Sequence, residues 1–230
     1  MCATYDVQFD PFDLRLNYEK GFDVFLNWFG EFPVESPLRV VPYRAGPVIT
    51  AIDQRCLALE MMQYSLIPSW SREKKLKFAT YNARIETVCE KPTWKESFPY
   101  HHCLIPVSQF VEPIYTGDYA GNMVGFYSDH VMLAAGIYNR WLDRTTGDEL
   151  ASYAMLMKEP LAYVKKVGHD RSPIFLSLSD GLKWMRGSRA NPQEQRKELL
   201  SMALTPELQV RVDRPLASGW QKRIPQDLEI

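Results

Sequence analysis

The run HCLIPVSQFVE at 102–112 decides the fold, together with VGFYS at 124–128, VMLAAGIY at 131–138 and SYAMLMK at 152–158. Each is rich in β-branched, aromatic and long apolar residues. They are separated by YTGDYAGN at 115–122 and DRTTGDE at 143–149, whose Gly, Asp, Asn and Thr suit tight turns. Short strands with turns between them predict an antiparallel meander. Working toward the N-terminus, LRVV at 38–41, VITAI at 48–52 and the alternating Leu57, Leu59 and Met61 add further strands; toward the C-terminus, LQVRV at 208–212 reads as a last one.

Helical signals lie outside the meander. Phe22, Phe25, Leu26 and Phe29 recur at helical spacing, which predicts an amphipathic helix before Gly30. A short helix is expected over Cys89–Phe98, near Pro92. Ser179 is placed to cap a helix through Leu182, Trp184 and Met185, and Pro192 to open another through QEQRKELLSMAL. No strand–helix–strand alternation occurs. The expected fold class is therefore α+β, a mostly antiparallel, barrel-like β-sheet core with peripheral helices, in a single domain over 1–230.

Composition bounds the function classes. The 230 residues are 46% hydrophobic and 24% charged, the balance of a globular chain. No apolar run reaches about 18 residues, so no membrane helix is expected. The start, MCATYDVQFDPFD, is acidic where a secretory signal is basic and apolar, so the cytoplasm is the expected location. With 27 Lys and Arg against 28 Asp and Glu, the net charge of −1 excludes a protein that coats duplex by bulk charge but allows a local basic groove. Cys2, Cys56, Cys89 and Cys103 form no C-x-x-C pair, so neither a zinc ribbon nor a disulfide framework is indicated.

The candidate chemistry is dispersed. Removal of Met1 before the small side chain of Cys2 would expose a residue with an α-amine and a thiol on adjacent carbons, both partly nucleophilic near neutral pH; an ordinary second residue is the alternative. The segment YNARIET at 81–87 packs Asn82, Arg84 and Glu86 together, in the manner of a site or of a solvated loop. Glu112 ends its strand-forming run before Pro113, a position equally suited to a functional carboxylate or a surface acid. His169 lies in GHDRSP at 168–173, an unlikely setting for core filler. His101 and His102 are adjacent and make a poor metal pair. Trp70 is followed by Arg72, Lys74, Lys75 and Lys77, a basic loop that suits nucleic acid or plain solvent, while Trp141 and Trp184 read as core.

Taken in order, the initiator Met-Cys, YNARIET, the strand ending at Glu112, AAGIY at 134–138 and HDRSP at 169–173 resemble the SOS response-associated peptidase (SRAP) family, whose members crosslink to abasic sites in single-stranded DNA. The resemblance runs from Cys2 to about Trp184. It departs from the family in Ala3-Thr4 after the cysteine, in Arg39-Val40-Val41-Pro42, in Phe110 and Pro113 where tryptophans flank the glutamate, and in the C-terminal VRVDRPLASGW.

The resemblance implies a single-stranded DNA partner containing an abasic site, a monomeric protein, and no metal or cofactor. It implies that Cys2, Asn82, Glu112 and His169 form the catalytic set. His169 would assist sugar ring opening, since imidazole titrates at cellular pH. The Cys2 amine would form an imine with the open aldehyde, and its thiolate would close a thiazolidine. Glu112 would carry protons, and Asn82 would orient the amine or sugar. Arg84 would hold phosphate, Trp70 would stack on a base, and Arg72, Lys74, Lys75 and Lys77 would follow the backbone. Self-cleavage or an aminopeptidase would free Cys2. Two other classes fit the same residues: a cysteine peptidase or amidohydrolase with an N-terminal Cys nucleophile, and a non-catalytic single-strand binder.

Overall fold

The computed structural model describes residues 4–8, 25–28, 37–53, 56–186 and 191–224. In chain order the strands are β1 (Thr4–Val7), β2 (Phe25–Trp28), β3 (Leu38–Val40), β4 (Ala45–Ala51), β5 (Cys56–Tyr64), β6 (Asn82–Arg84), β7 (His102–Ile114), β8 (Asn122–Leu142) and β9 (Glu149–Lys158). Helix α1 (Ala162–Val167), β10 (Ser172–Pro173), β11 (Phe175–Leu176), α2 (Leu178–Arg186), α3 (Pro192–Ser201) and β12 (Gln209–Pro215) follow.

The meander forms as the alternation predicts. β7 and β8 pair antiparallel from His102↔Ile137 to Ile114↔Asn122, with a bulge between Val107 and Gln109, and β8 pairs antiparallel with β9. The order β8–β9–β5–β4–β7 returns to β8, so these strands close a five-stranded barrel. Closure leaves the inner face without an open edge and packs Ile49, Leu59, Leu104, Ile105, Ala135 and Met155 into a continuous core. Most pairings are antiparallel, as expected; β2–β5, β5–β9 and β6–β9 are parallel. Beyond the bulge, β7 leaves β4 and runs between β1 and β8, and β12 adds to the far side of β8. Among the described residues no helix is long and apolar enough to cross a membrane.

Three local expectations are corrected. Residues 25–28 of the expected N-terminal helix form strand β2, in parallel register with β5 from Phe25↔Cys56; a short apolar run fits either period, and sheet pairing decides it. Over 89–98 there is a succession of turns, not a regular helix. Pro92 supplies no N–H, and the bonds on either side, Lys91 N–H to Thr87 O and Trp94 N–H to Lys91 O, do not join into one ladder. The helix assigned to a Ser179 cap starts earlier, because the Ser177 hydroxyl accepts from Asp180 N–H at 3.0 Å. Helix α3 begins as expected, with Pro192 in its first turn and the Asn191 side chain accepting from Gln193 and Glu194 N–H, both at 3.0 Å. Trp141 and Trp184 are core residues.

Candidate functional site

Glu112 is fully buried. Its strand does not stop there, as its sequence position suggests, but continues through Pro113 to Ile114, paired across to Met123 and Asn122. Alternation then puts Glu112 on the same side as Phe110 and Ile114, the former stacked on Phe126 at 5.0 Å. The sheet thus carries a carboxylate into an apolar interior, where a charge needs a polar partner.

That partner comes from 57 residues away in sequence. Helix α1 ends at Gly168, whose φ of 110° is in the left-handed region, and a Cβ there would lie 2.8 Å from Thr116 O. Only glycine satisfies both the turn and the close approach. The reversal turns His169 inward, 6% exposed, with Nε2 at 3.3 Å from Glu112 Oε2. The other ring nitrogen, Nδ1, is 3.2 Å from Arg171 N–H and 3.1 Å from Arg171 O, so it accepts from the one or donates to the other according to the tautomer.

Asn82 opens β6 and is buried. Its Oδ1 accepts a hydrogen bond from the Tyr64 hydroxyl at 3.0 Å, which orients the amide with its nitrogen as the donor end. Tyr64 is held in turn by the stacked ring of Tyr153 at 5.2 Å and the edge of Tyr5 at 5.3 Å. The Tyr5 and Tyr153 hydroxyls are bonded to each other. Burial pushes the Tyr153 hydroxyl well above the ordinary phenol range, so it is a neutral hydrogen-bonding group. Two residues beyond Asn82, Arg84 is exposed. The two motifs that flank the site meet directly: Arg171 Nη1 donates to Glu86 Oε1 at 2.7 Å.

The structure therefore brings Glu112 and His169 into contact and joins YNARIET to HDRSP. Cys2 lies outside the described residues. β1 begins at Thr4, and Thr4 pairs with Val111, the neighbour of Glu112. Among the described residues no group of three or more His, Cys, Asp or Glu side chains is gathered as metal ligands.

A family model described as SOS response associated peptidase (SRAP) matches residues 1–214. The chain belongs to the SRAP family. It is 26% identical over 144 residues to a Bacillus subtilis protein named abasic site processing protein YoaM, covering 62% of this chain and 63% of that one. It is 25% identical over 136 residues to abasic site processing protein YoqW, also of B. subtilis, covering 58% of this chain and 60% of the relative. The matches thus span somewhat under two thirds of these curated relatives. Among solved structures, a Bordetella bronchiseptica protein superimposes with a TM-score of 0.72 at 20% identity, over 93% of this chain and all of the other. A Bacteroides thetaiotaomicron protein gives 0.65 at 24% identity, over 93% and 92% of the two chains. At these identities the likeness shows the fold alone.

The SRAP barrel presents the basic segment as an anchored loop. Leu66 N–H donates to Thr80 O at 3.0 Å, so residues 67–79 leave and return at one place, a short step before Asn82. Trp141 Nε1 donates to Ser71 O at 2.7 Å, and Lys74 Nζ lies 3.5 Å from Asp143. Trp70 is 48% exposed with its indole N–H on Pro92 O at 3.2 Å, and Arg72, Lys75 and Lys77 are exposed. Tyr64 carries no motif signal, and Arg171 lies inside HDRSP without a role of its own there; contact across the fold reveals the partner of each.

Proposed function

We propose that this chain is an abasic-site sensor for single-stranded DNA that bonds covalently to the lesion through Cys2 once Met1 is removed. The observation that carries the reading is the buried Glu112–His169 contact beside β1. Thr4, two residues after Cys2 in the sequence, is paired to the neighbour of Glu112. The family membership and the names of the relatives support an abasic lesion as the target.

The chemistry follows from the groups present. The sugar at the lesion is a cyclic hemiacetal, and His169 moves the proton that opens it to the aldehyde. The Cys2 α-amine adds to the carbonyl carbon, and loss of one water gives an imine. Glu112 takes the proton from the attacking amine and returns one to the departing hydroxyl. The Cys2 thiolate then adds to the imine carbon, and the nitrogen takes up a proton as the five-membered thiazolidine closes. Asn82, its oxygen fixed by Tyr64, directs its amide N–H to the sugar or amine. Arg84 holds a phosphate, Trp70 stacks on a neighbouring base, and Arg72, Lys74 and Lys75 attract the backbone. Met1 leaves by self-cleavage or by an aminopeptidase, and the mature protein acts as a monomer.

The test is a denaturing gel of Met1-free protein with a single-stranded abasic oligonucleotide. A heat-stable shifted band is expected with the wild type and not with Cys2→Ser, which lacks the thiol for ring closure. No shifted band with the mature wild type, or an equally stable one with Cys2→Ser, refutes the chemistry. Cleavage of peptide or amide substrates without a DNA adduct would favour the peptidase class instead.

A further inference from the structure

We propose that Tyr43, with Lys75 against its ring, is a second base-stacking platform that holds a nucleotide of the single strand beside the one at Trp70. This rests on the reading above and adds a contact that the sequence pattern does not flag. Tyr43 has a φ of 67°, in the left-handed region that disfavours bulky residues and suits glycine. The turn fixes that conformation: Tyr43 N–H donates to Tyr64 O at 2.7 Å, and Arg44 N–H to Val41 O at 3.0 Å. Burial does not compensate, since the residue is 36% exposed. A disfavoured backbone around an exposed aromatic points to use by a ligand.

The ring's surroundings identify the ligand. Lys75 Nζ lies 4.9 Å from the ring centroid, so a cation and an aromatic face are presented together. Arg44, Arg72 and Lys77 are exposed on the same two segments, and Trp70 and Phe78, 48% and 51% exposed, stand on the loop that supplies Lys75. Aromatic faces among cations match a strand with free base faces and a phosphate backbone; a duplex keeps its base faces stacked. The position is continuous with the candidate site. Tyr43 is bonded to the backbone of Tyr64, whose hydroxyl holds Asn82.

A ring that only anchors the 67–79 loop would stabilise the fold, whereas a stacking ring in a strained turn would not, so Tyr43→Gly separates the two. Binding of a fluorescently labelled, undamaged single-stranded oligonucleotide is measured by anisotropy, beside thermal melting of the same protein. Tyr43→Gly should bind about tenfold more weakly while melting at or above the wild-type temperature, and Tyr43→Phe should bind as wild type. Tyr43→Gly that binds as wild type, or that melts lower than wild type, overturns the proposal, as does wild-type binding that is equal for single strand and duplex. The crosslinking gel keeps the two readings apart. Wild type that binds single strands through Tyr43 without crosslinking leaves the platform standing and removes the proposed chemistry; wild type that crosslinks while Tyr43→Gly binds normally removes the platform alone.

Discussion

The contact between Glu112 and His169 makes a quantitative prediction about how their losses combine. Glu112→Gln keeps the shape of the side chain and removes its ability to take a proton; His169→Ala removes the imidazole. Losing one general acid or base costs about 10²–10⁴-fold, roughly 3–5 kcal/mol in the barrier. Independent groups would multiply to about 10⁴–10⁸ in the double mutant. These two are not placed independently. With Nε2 and Oε2 at 3.3 Å and both side chains out of water, each side chain fixes where the other's reacting atom sits. Losing either one therefore disturbs the proton transfers assigned to the other. The double mutant should therefore lose no more than about tenfold beyond the worse single mutant. The assay is single-turnover crosslinking, quenched and resolved on denaturing gels, with an abasic strand and with a strand bearing a preformed open aldehyde. Thermal melts of each variant keep misfolding apart from lost chemistry. Losses that multiply in the double mutant would refute the coupling and leave the two residues acting independently.

Three further outcomes test the scaffold. Ser65 has a φ of 154°, and its buried hydroxyl has no hydrogen-bond partner among the described residues; Ser65→Gly should gain about 1 kcal/mol and raise the melting temperature by about 2–4 °C, and a lower melting temperature would reject the strain. A Cβ at Gly46 would collide with the Tyr5 and Tyr153 hydroxyls, so Gly46→Ala should cost about 1–3 kcal/mol in urea unfolding and recover part of it with Tyr153→Phe; a neutral Gly46→Ala would contradict the packing. Burial lowers the proton affinity of His101 and His102, so the unfolded chain binds protons that the folded one refuses: stability present above about pH 6.5 is lost as pH falls below it. Denaturation midpoints at pH 7.5 and 5.5 should show the drop, and His102→Gln should reduce it; an unchanged pH difference would contradict the assignment.

The strands of the meander were legible because local composition and turn residues agree with the tertiary pairing. The same holds for Pro192 and for the cluster of motif residues, which carried the family resemblance. What was hidden depends on contacts between distant segments. Glu112 read equally as a surface acid because Pro113 resembles a strand terminator, yet a proline whose missing N–H is tolerated lets β7 run on and bury the carboxylate. The apolar residues near 25–28 satisfied a helical period until β5 offered them a parallel partner. Tyr64 differs from other core tyrosines only in where its hydroxyl ends, and no local pattern encodes that the Arg171 guanidinium meets Glu86 across 85 residues.

Arg39 shows why a departure from the family pattern in sequence need not be a change at the DNA. It stands in the segment Arg39-Val40-Val41-Pro42, where an added cation suggests an added phosphate contact. In the fold its guanidinium is bonded to Asp6 at 2.7 and 2.9 Å and to Asp213 at 2.6 and 3.1 Å. Asp6 also accepts from Gln109 Nε2 at 3.0 Å, and Gln109 Oε1 accepts from Arg211 Nε at 2.6 Å. The result is a polar ladder from β3 across β1 and β7 to β12. Its charges face one another, which closes the two sheet edges and leaves Arg39 little attraction to spare for an anion. Arg84 and, on the 67–79 loop, Arg72, Lys75 and Lys77 are by contrast exposed, on the segments that lead into and follow Asn82. Position in the sequence alone would count Arg39 as a free cation; the two carboxylates that face it, from β1 and β12, make it part of the framework of the sheet.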